Sequence, residues 1–383
     1  MSGPTVTLTA DPTGPTGPSA PPSGSYRTAP VPVWSRVVHH QLFWPVVALV
    51  LLVIACGIKN PVFLDVEIRD GHLFGQLVDI SRYAATPLLL ALGMALVIAT
   101  GGIDLSVGAV MAISLAVSLS YLDGNPGAGS VGTVAVAVAL GILVALVAGV
   151  FNGFMVSVLG IQPFIATMIL MVAGRGVAML ITKGQITTVT SPPFKYLGSG
   201  FVLGVPTPVV IALLALVGVA VLVRRTALGM LLESIGINRE ASRLAGVQSR
   251  NITWFVYILA GVLAGLAGIV YGAPTMAADA NNIGLMKEMD AIMCVVLGGT
   301  ALSGGKFYLS GTVVGALILS TIERAVIIFH IPSQITPLFK ALVIILVCVA
   351  QSPKLREYLA PRRRRSVVAA AVAAPAPTKE EAR

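Results

Sequence analysis

The sequence predicts an all-α polytopic membrane protein: about ten transmembrane helices (range eight to ten) in two loosely repeated halves, some of them interrupted. Three observations carry this. Of the 383 residues 56% are hydrophobic and only 11% charged, where soluble domains carry roughly a quarter charged. So little polar surface cannot cover a water-soluble globule, and apolar runs fit to cross a hydrocarbon layer about 30 Å thick recur along the chain. The 40 glycines suit helix packing in lipid, where small residues let backbones approach.

The elements follow in order. Residues 1–35 are rich in Pro, Gly, Ser and Thr with no basic opening, and read as a disordered cytoplasmic tail rather than a signal peptide. The membrane domain is expected over 36–352, beginning with a span at Leu42 to Gly57. A connector with Lys59, Asp65, Glu67, Arg69, Asp70 and Asp79 leans acidic and is placed outside the cell. Tyr83 to Thr100 and Leu105 to Tyr121 come next, separated only by Gly101-Gly102-Ile103-Asp104, and the turn signal Asp123-Gly124-Asn125-Pro126-Gly127 ends the second. Val131 to Val150 is a further span. Phe154 to Ile181 is too long for one and is broken at Gly160-Ile161-Gln162-Pro163; such a break is tolerated where it is buried in protein or lines a cavity.

Lys183 to Pro208 reads as a second outside loop, and Val209 to Val223 stops hard at Arg224-Arg225. The connection 224–251 is basic and therefore assigned to the cytoplasm. Ile252 to Tyr271 returns outward, and Gly272 to Glu288 carries Asp279 and Glu288 outside. Three shorter runs close the domain: Ala291 to Leu302, Leu309 to Ile322 and Leu338 to Ala350. Residues 353–383 form a basic, disordered tail, which leaves both termini cytoplasmic.

The net charge of +9 does not mark a nucleic-acid binder, because the basic residues abut apolar runs. They gather at Arg224, Arg225, Arg239, Arg243 and Arg250, and at Lys354, Arg356 and Arg362 to Arg365. Cys56, Cys294 and Cys348 sit inside apolar runs without paired spacing, as inert thiols would. Gly299 to Lys306 imitates a phosphate loop but lacks its first glycine, and Phe307 stands where a Ser or Thr would hold magnesium. ATP binding by this chain is not expected, no cofactor or metal is called for, and no catalytic constellation marks an enzyme.

An internal echo suggests the two halves. Gly101-Gly102-x-x-Leu105-Ser106-x-Gly108 returns as Gly298-Gly299-x-x-Leu302-Ser303-x-Gly305, and transporter folds are commonly built from such repeats with the route between them. Asp104 follows the first Gly-Gly inside apolar sequence, where a charge costs roughly 2.5–3.5 kcal/mol. It either lines a route at the end of a broken helix or caps the helix that starts at Leu105, with Ser106 sharing that work; the cap is the simpler reading. Asn152, Gln162 and Arg175 are polar groups of the long interrupted segment. They would serve a polar route or satisfy backbone freed at Pro163, with Arg175 also able to snorkel. Gly261-x-x-x-Gly265 and Gly311-x-x-x-Gly315 point to close helix crossings, within the subunit or across a dimer.

The stretch Asn238-Arg239-Glu240-Ala241-Ser242-Arg243-Leu244 predicts a short polar helix able to dock in a groove of a soluble partner. With Gly246 it resembles the coupling motif of ABC importer permeases. The wider signature, Ile98 to Gly108 with Ser234-Ile235-Gly236-Ile237-Asn238 and Leu297-Gly298-Gly299, resembles the ribose/monosaccharide branch. Asp70 to Gly75, Ile161 to Phe164 and Ala278 to Asn282 look nearest to galactofuranose-type permeases. The resemblance covers about Leu42 to Gln351; the broader importer motif's Ile-x-Leu-Pro after Gly246 is absent. It implies a monosaccharide importer of pentose or furanose type in a bacterial cell membrane. It also implies a separate cytoplasmic ATPase, an extracytoplasmic sugar-binding protein and a second permease chain, identical or paralogous. The alternative is an ion-gradient-driven carrier, for which Asp104 would be the ionisable residue.

Overall fold

The computed structural model describes residues 42–69 and 71–351; the expected tails and the basic run at 362–365 lie outside the described residues. Apolar sequence sets the long helices, and local chemistry sets their ends. Helix α1 spans Phe43–Lys59. A hairpin follows, β1 (Val66–Arg69) against β2 (His72–Gly75), with Val66 opposite Gly75. Helix α2, Gln76–Ala99, runs unbroken through Pro87. Helix α3 covers Val107–Asp123, and α4 covers Val131–Ser157, where Ser130 accepts from the Thr133 N–H as a cap. Pro163 opens α5 (Pro163–Ile181), where its missing N–H costs nothing.

The segment from Thr182 to Pro206 is not plain loop. It carries β3 (Thr187–Thr188), α6 (Pro192–Ser199) and the small hairpin of β4 (Phe201–Val202) with β5 (Val205–Pro206). Helix α7 is Thr207–Arg225. Then come α8 (Leu228–Ile237), α9 (Arg239–Leu244) and α10 (Ser249–Gly272). Strand β6 (Ala277–Ala278) pairs with β3, and α11 (Lys287–Leu297), α12 (Leu309–Ile328) and α13 (Thr336–Gln351) complete the described chain.

Six of these, α2, α4, α5, α7, α10 and α12, are long and apolar enough to cross a membrane. Two are buried very differently: 83% of the apolar window of α2 lies inside the protein against 22% for α5 and for α7. Helix α2 is therefore the axis of the bundle, walled by α10, α12, α11 and α7, while α5 and α7 turn most of their surface to the surroundings. The glycines of α10 sit where helices cross. A Cβ on Gly261 would fall 2.7 Å from the Ala145 carbonyl oxygen of α4, and one on Gly268 2.4 Å from that of Met111 on α3. Both Gly-x-x-x-Gly pairs thus serve crossings within the subunit, since Gly311 and Gly315 meet the backbone of α11.

Several boundaries differ from the sequence reading. Helix α12 continues six residues past the expected Ile322, through Glu323 and Arg324. Helix α11 starts at Lys287 rather than Ala291 and stops before Leu302. Charged residues had marked the start of α11 and the end of α12, but Asp290, Glu323 and Arg324 pair with neighbouring helices, so the helices run on through them.

Candidate functional site

Helices α8 and α9 protrude beside Arg224-Arg225, at what is here termed the basic end. Asn238 is extended, and its Oδ1 accepts the Ala241 N–H at 2.9 Å, which is the N-cap bond that starts α9. Ser242 is buried; its hydroxyl donates to the Asn238 carbonyl at 2.9 Å and lies 2.9 Å from the Ser234 hydroxyl of α8. Gly246 takes φ +85°, and its N–H and that of Val247 return to the carbonyls of Arg243 and Ser242. That closure needs a left-handed residue, which glycine adopts without a Cβ clash. The spacing from Glu240 to Gly246 is thus one capped helical turn and its stop. Glu240 and Arg243 form an exposed ion pair, and the hydrogen bond and charge of Arg243 hold the Glu240 carboxyl below its ordinary range. Ala241 is exposed beside them. Arg239 turns the other way and donates to the Thr253 hydroxyl of α10 at 2.7 Å.

Beneath α8 the two Gly-Gly turns converge. Helix α2 closes with N–H bonds from Gly101 to Ile98 (2.8 Å) and from Gly102 to Val97 (3.1 Å). Helix α11 closes with Gly299 to Val296 (2.9 Å) and Thr300 to Val295 (3.2 Å). The left-handed residues are Gly101 (φ +79°) and Gly299 (φ +87°). By hydrogen bonding Gly101 corresponds to Gly299, so the echo in sequence is one residue out of register with the repeat in structure. What recurs is a helix stop, and the other glycine of each pair has a separate task. A Cβ on Gly102 would lie 2.6 Å from the Tyr257 hydroxyl, and one on Gly298 2.3 Å from the Gly311 carbonyl carbon. The Gly305 N–H donates to the Ala99 carbonyl at 3.0 Å, and Gly236 of α8 lies so close that a Cβ would sit 1.9 Å from that oxygen. Gly304 abuts the Cα of Gly101. Three segments therefore meet backbone to backbone at the foot of α8.

Asp104, 2% exposed, stands at the start of α3. Its Oδ1 accepts the Ser106 N–H at 2.9 Å and the Ser106 hydroxyl at 2.6 Å. Asn152 Nδ2 donates to Ser106 Oγ at 2.7 Å and reaches Asp104 Oδ1 at 3.5 Å. The Leu105 N–H donates to the Thr167 hydroxyl at 3.1 Å. Asn152 lies on α4 and joins Asp104, not the interrupted segment from which it was read. Gln162 is exposed at the start of α5. Arg175 is remote from that break as well: its Nη1 donates to the Ala280 carbonyl at 2.9 Å and to that of Ile283. These candidates thus separate into one node (Asp104, Ser106, Asn152, with Gly101 and Gly102 leading into it) and two isolated positions, Gln162 and Arg175. Thr167, Tyr257 and Gly304 had no signal of their own, because each earns its place through a partner far away in sequence.

A second polar cluster was also missed. Lys287 Nζ lies 2.9 Å from Asp290 Oδ2 and 3.9 Å from Glu323 Oε1; Lys340 Nζ lies 2.6 Å from Glu323 Oε1 and 3.5 Å from Asp290 Oδ1. Two cations and two anions balance across α11, α12 and α13. Among the described residues no group of three or more His, Cys, Asp or Glu is placed to hold a metal ion.

Long apolar helices, two helix stops of one hydrogen-bond pattern, and charges paired inside the bundle mark a membrane protein. The chain belongs to the family described as branched-chain amino acid transport system/permease component, which matches residues 76–348. It is 47% identical over 316 residues to the galactofuranose transporter permease protein YtfT of Escherichia coli strain K12, covering 81% of this chain and 91% of that one. It is 40% identical to the fructose import permease protein FruF of Bifidobacterium longum, over 88% and 94% of the two chains. To the ribose import permease protein RbsC of Escherichia coli strain K12 the identity is 36%, over 80% and 92%. No solved structure matches.

Proposed function

We propose that this chain is the membrane-spanning permease subunit of an ABC importer and carries a monosaccharide, of pentose or furanose type, across a bacterial cell membrane by alternating access. The observation that carries the proposal is the similarity along nearly the whole of a galactofuranose permease. Fructose and ribose import permeases share it at lower identity, so sugars fit better than the amino acids of the family's description. A permease subunit moves solute and catalyses no reaction of its own. The gradient-driven alternative finds no support among these relatives.

In this reading α1, α2, α3, α4, α5, α7, α10, α11, α12 and α13 are the ten membrane helices, with α1, α3, α11 and α13 shorter than the rest. Ten crossings put both termini on the basic side, which the excess of Arg assigns to the cytoplasm. The partners are a cytoplasmic ATPase, an extracytoplasmic sugar-binding protein and a second permease chain, all set in the lipid bilayer. The ATPase would grip α8 and α9, where Met230, Ile237 and Leu244 are 71%, 72% and 78% exposed, with the Glu240–Arg243 pair on α9. Apolar anchors rimmed by charge suit helix-in-groove docking. Movement of α8 would then reach the end of α2 and the Gly305 turn through Gly236, and movement of α9 would reach α10 through Arg239 and Thr253.

The test is a mild-detergent pull-down of the tagged chain with mass spectrometry, together with uptake by a Glu240→Arg variant. A co-purifying two-domain ATPase, and lost uptake with unchanged membrane insertion, are expected. Wild-type uptake by Glu240→Arg would sink the coupling assignment, and repeated intact preparations without any ATPase would sink the importer reading.

A further inference from the structure

Helix α11 by itself is too short to cross a membrane, and non-helical chain completes its crossing. Its 11 residues span about 16 Å, roughly half of a hydrocarbon core. One end, Gly298, rests on Gly311 near the start of α12, and the other, through Lys287, reaches Glu323 near the end of α12. Above Lys287 the rest of the span is not filled by helix. A cavity of about 360 Å³ lies there, at the end of the bundle opposite Arg224-Arg225, among the first turns of α2 and α7, the last turn of α10 and α6.

Its wall combines two aromatic rings with fixed polar groups. Tyr83 and Tyr271 line it and are 57% and 43% exposed, and Lys287 Nζ lies 5.9 Å from the Tyr271 ring centre. Arg82, Thr86, Lys287 and Glu323 complete the polar lining. The charges are already committed: Arg82 donates to the Gly198 carbonyl and the Ser199 hydroxyl, and Lys287 pairs with Asp290 and Glu323. Such groups are held in place for hydroxyl hydrogen bonding: Lys287 and Glu323 balance within the four-charge cluster, and Arg82 keeps its positive charge on neutral acceptors. The ammonium of a zwitterionic amino acid would find no free carboxylate, whereas a neutral polyol would find ring faces and oriented polar atoms. Small-ligand pockets begin at roughly 300 Å³, so the space suits one sugar ring.

We infer that this cavity, lined within a single chain by Arg82, Tyr83, Thr86, Tyr271, Lys287 and Glu323, is a binding station for the monosaccharide in transit. The inference rests on the importer reading and adds the site that reading lacks. It also gives α11 a role: one end borders the cavity, and the chain just beyond the other touches Gly101 and Gly236.

Cysteine protection tests it. Cys56 and Cys294 are buried, so in a Cys348→Ser background a cysteine at Thr275, which lines the cavity, reports on it alone. A second cysteine at Leu203, 99% exposed, serves as control. Labelling by a membrane-impermeant thiol reagent is followed with D-galactose, D-fructose, D-ribose or L-leucine present, beside uptake of the same solutes by cells carrying the unmodified chain and its partners. At twice the dissociation constant a sugar slows Thr275→Cys labelling about threefold, since only the empty fraction reacts, and Leu203→Cys is unaffected. Tyr271→Ala removes that protection while leaving labelling without sugar unchanged. Sugar uptake without protection at Thr275→Cys, or protection by L-leucine alone, overturns the cavity assignment. Absence of uptake for every sugar overturns the importer reading beneath it.

Discussion

The two helix stops, at Gly101 and at Gly299, share one hydrogen-bond pattern and are fastened in opposite ways. The first leads into a buried node of side chains, Asp104, Ser106 and Asn152, with Thr167 holding the Leu105 N–H. Past the second, the Thr300 hydroxyl accepts the Tyr308 N–H, and the rest is glycine packed on backbone: Gly298 on Gly311, Gly304 on Gly101. Its charged fastening lies at the far end of α11, in the Lys287, Asp290, Glu323 and Lys340 cluster. The difference is one of fastening. A node of directed hydrogen bonds pins one geometry, whereas helices that meet through glycine have no side chains interlocked across the contact. The first stop suits a fixed point and the second the end of a lever.

The largest effect should come from breaking the lever's charged end. Lys340→Met leaves two acids facing one lysine in a mostly buried site and should cost about 3–5 kcal/mol, as when one partner of a buried pair is removed. Thermal unfolding in detergent would read this, and adding Glu323→Leu should recover most of the loss. No recovery would mean that Lys340 packs rather than pairs. Next, Gly236→Ala forces a methyl group onto the Ala99 carbonyl at the meeting point of both stops. Overpacking of about 1–3 kcal/mol should accompany a fall in uptake larger than the fall in folded protein, and uptake that merely tracks folded protein would deny α8 its transmitting role.

Asp104→Ala should cost about 1–3 kcal/mol by orphaning the Ser106 N–H and disrupting the Ser106 hydroxyl's donation. Asp104→Asn keeps one acceptor oxygen and should restore much of it, unless the charge itself is needed, in which case both variants fail alike. The smallest effect sharpens the register. Gly299→Ala meets no atom within 4 Å and should cost only the left-handed conformation, about 1–2 kcal/mol. Gly298→Ala should cost more, because its methyl group meets Gly311. The reverse order would restore the register read from sequence.

Much of the fold was legible because lipid imposes a simple rule: apolar length sets spans, and glycine or proline sets breaks. The break between Ser157 and Pro163 and the short helix after Asn238 fell where the residues placed them. The ends of α11 and α12 were misread because Lys287, Glu288, Asp290, Glu323 and Arg324 look like solvent residues until their partners are known. In the candidate site, α9 was readable as a local unit, since Asn238 and Gly246 cap it from within nine residues. Asp104 and Ser106 were readable for the same reason.

The sequence by itself determined the solvent, the class and the local stops, because hydropathy, helix caps and left-handed glycines act over a few residues. Only the tertiary structure decided that Asn152 belongs with Asp104, that Gly236 meets both Ala99 and Gly305, that four charges neutralise one another, and that a half-length helix leaves a cavity above it. Each of these depends on which distant segments come within a few ångströms, and packing of helices against helices, not local preference, sets those distances.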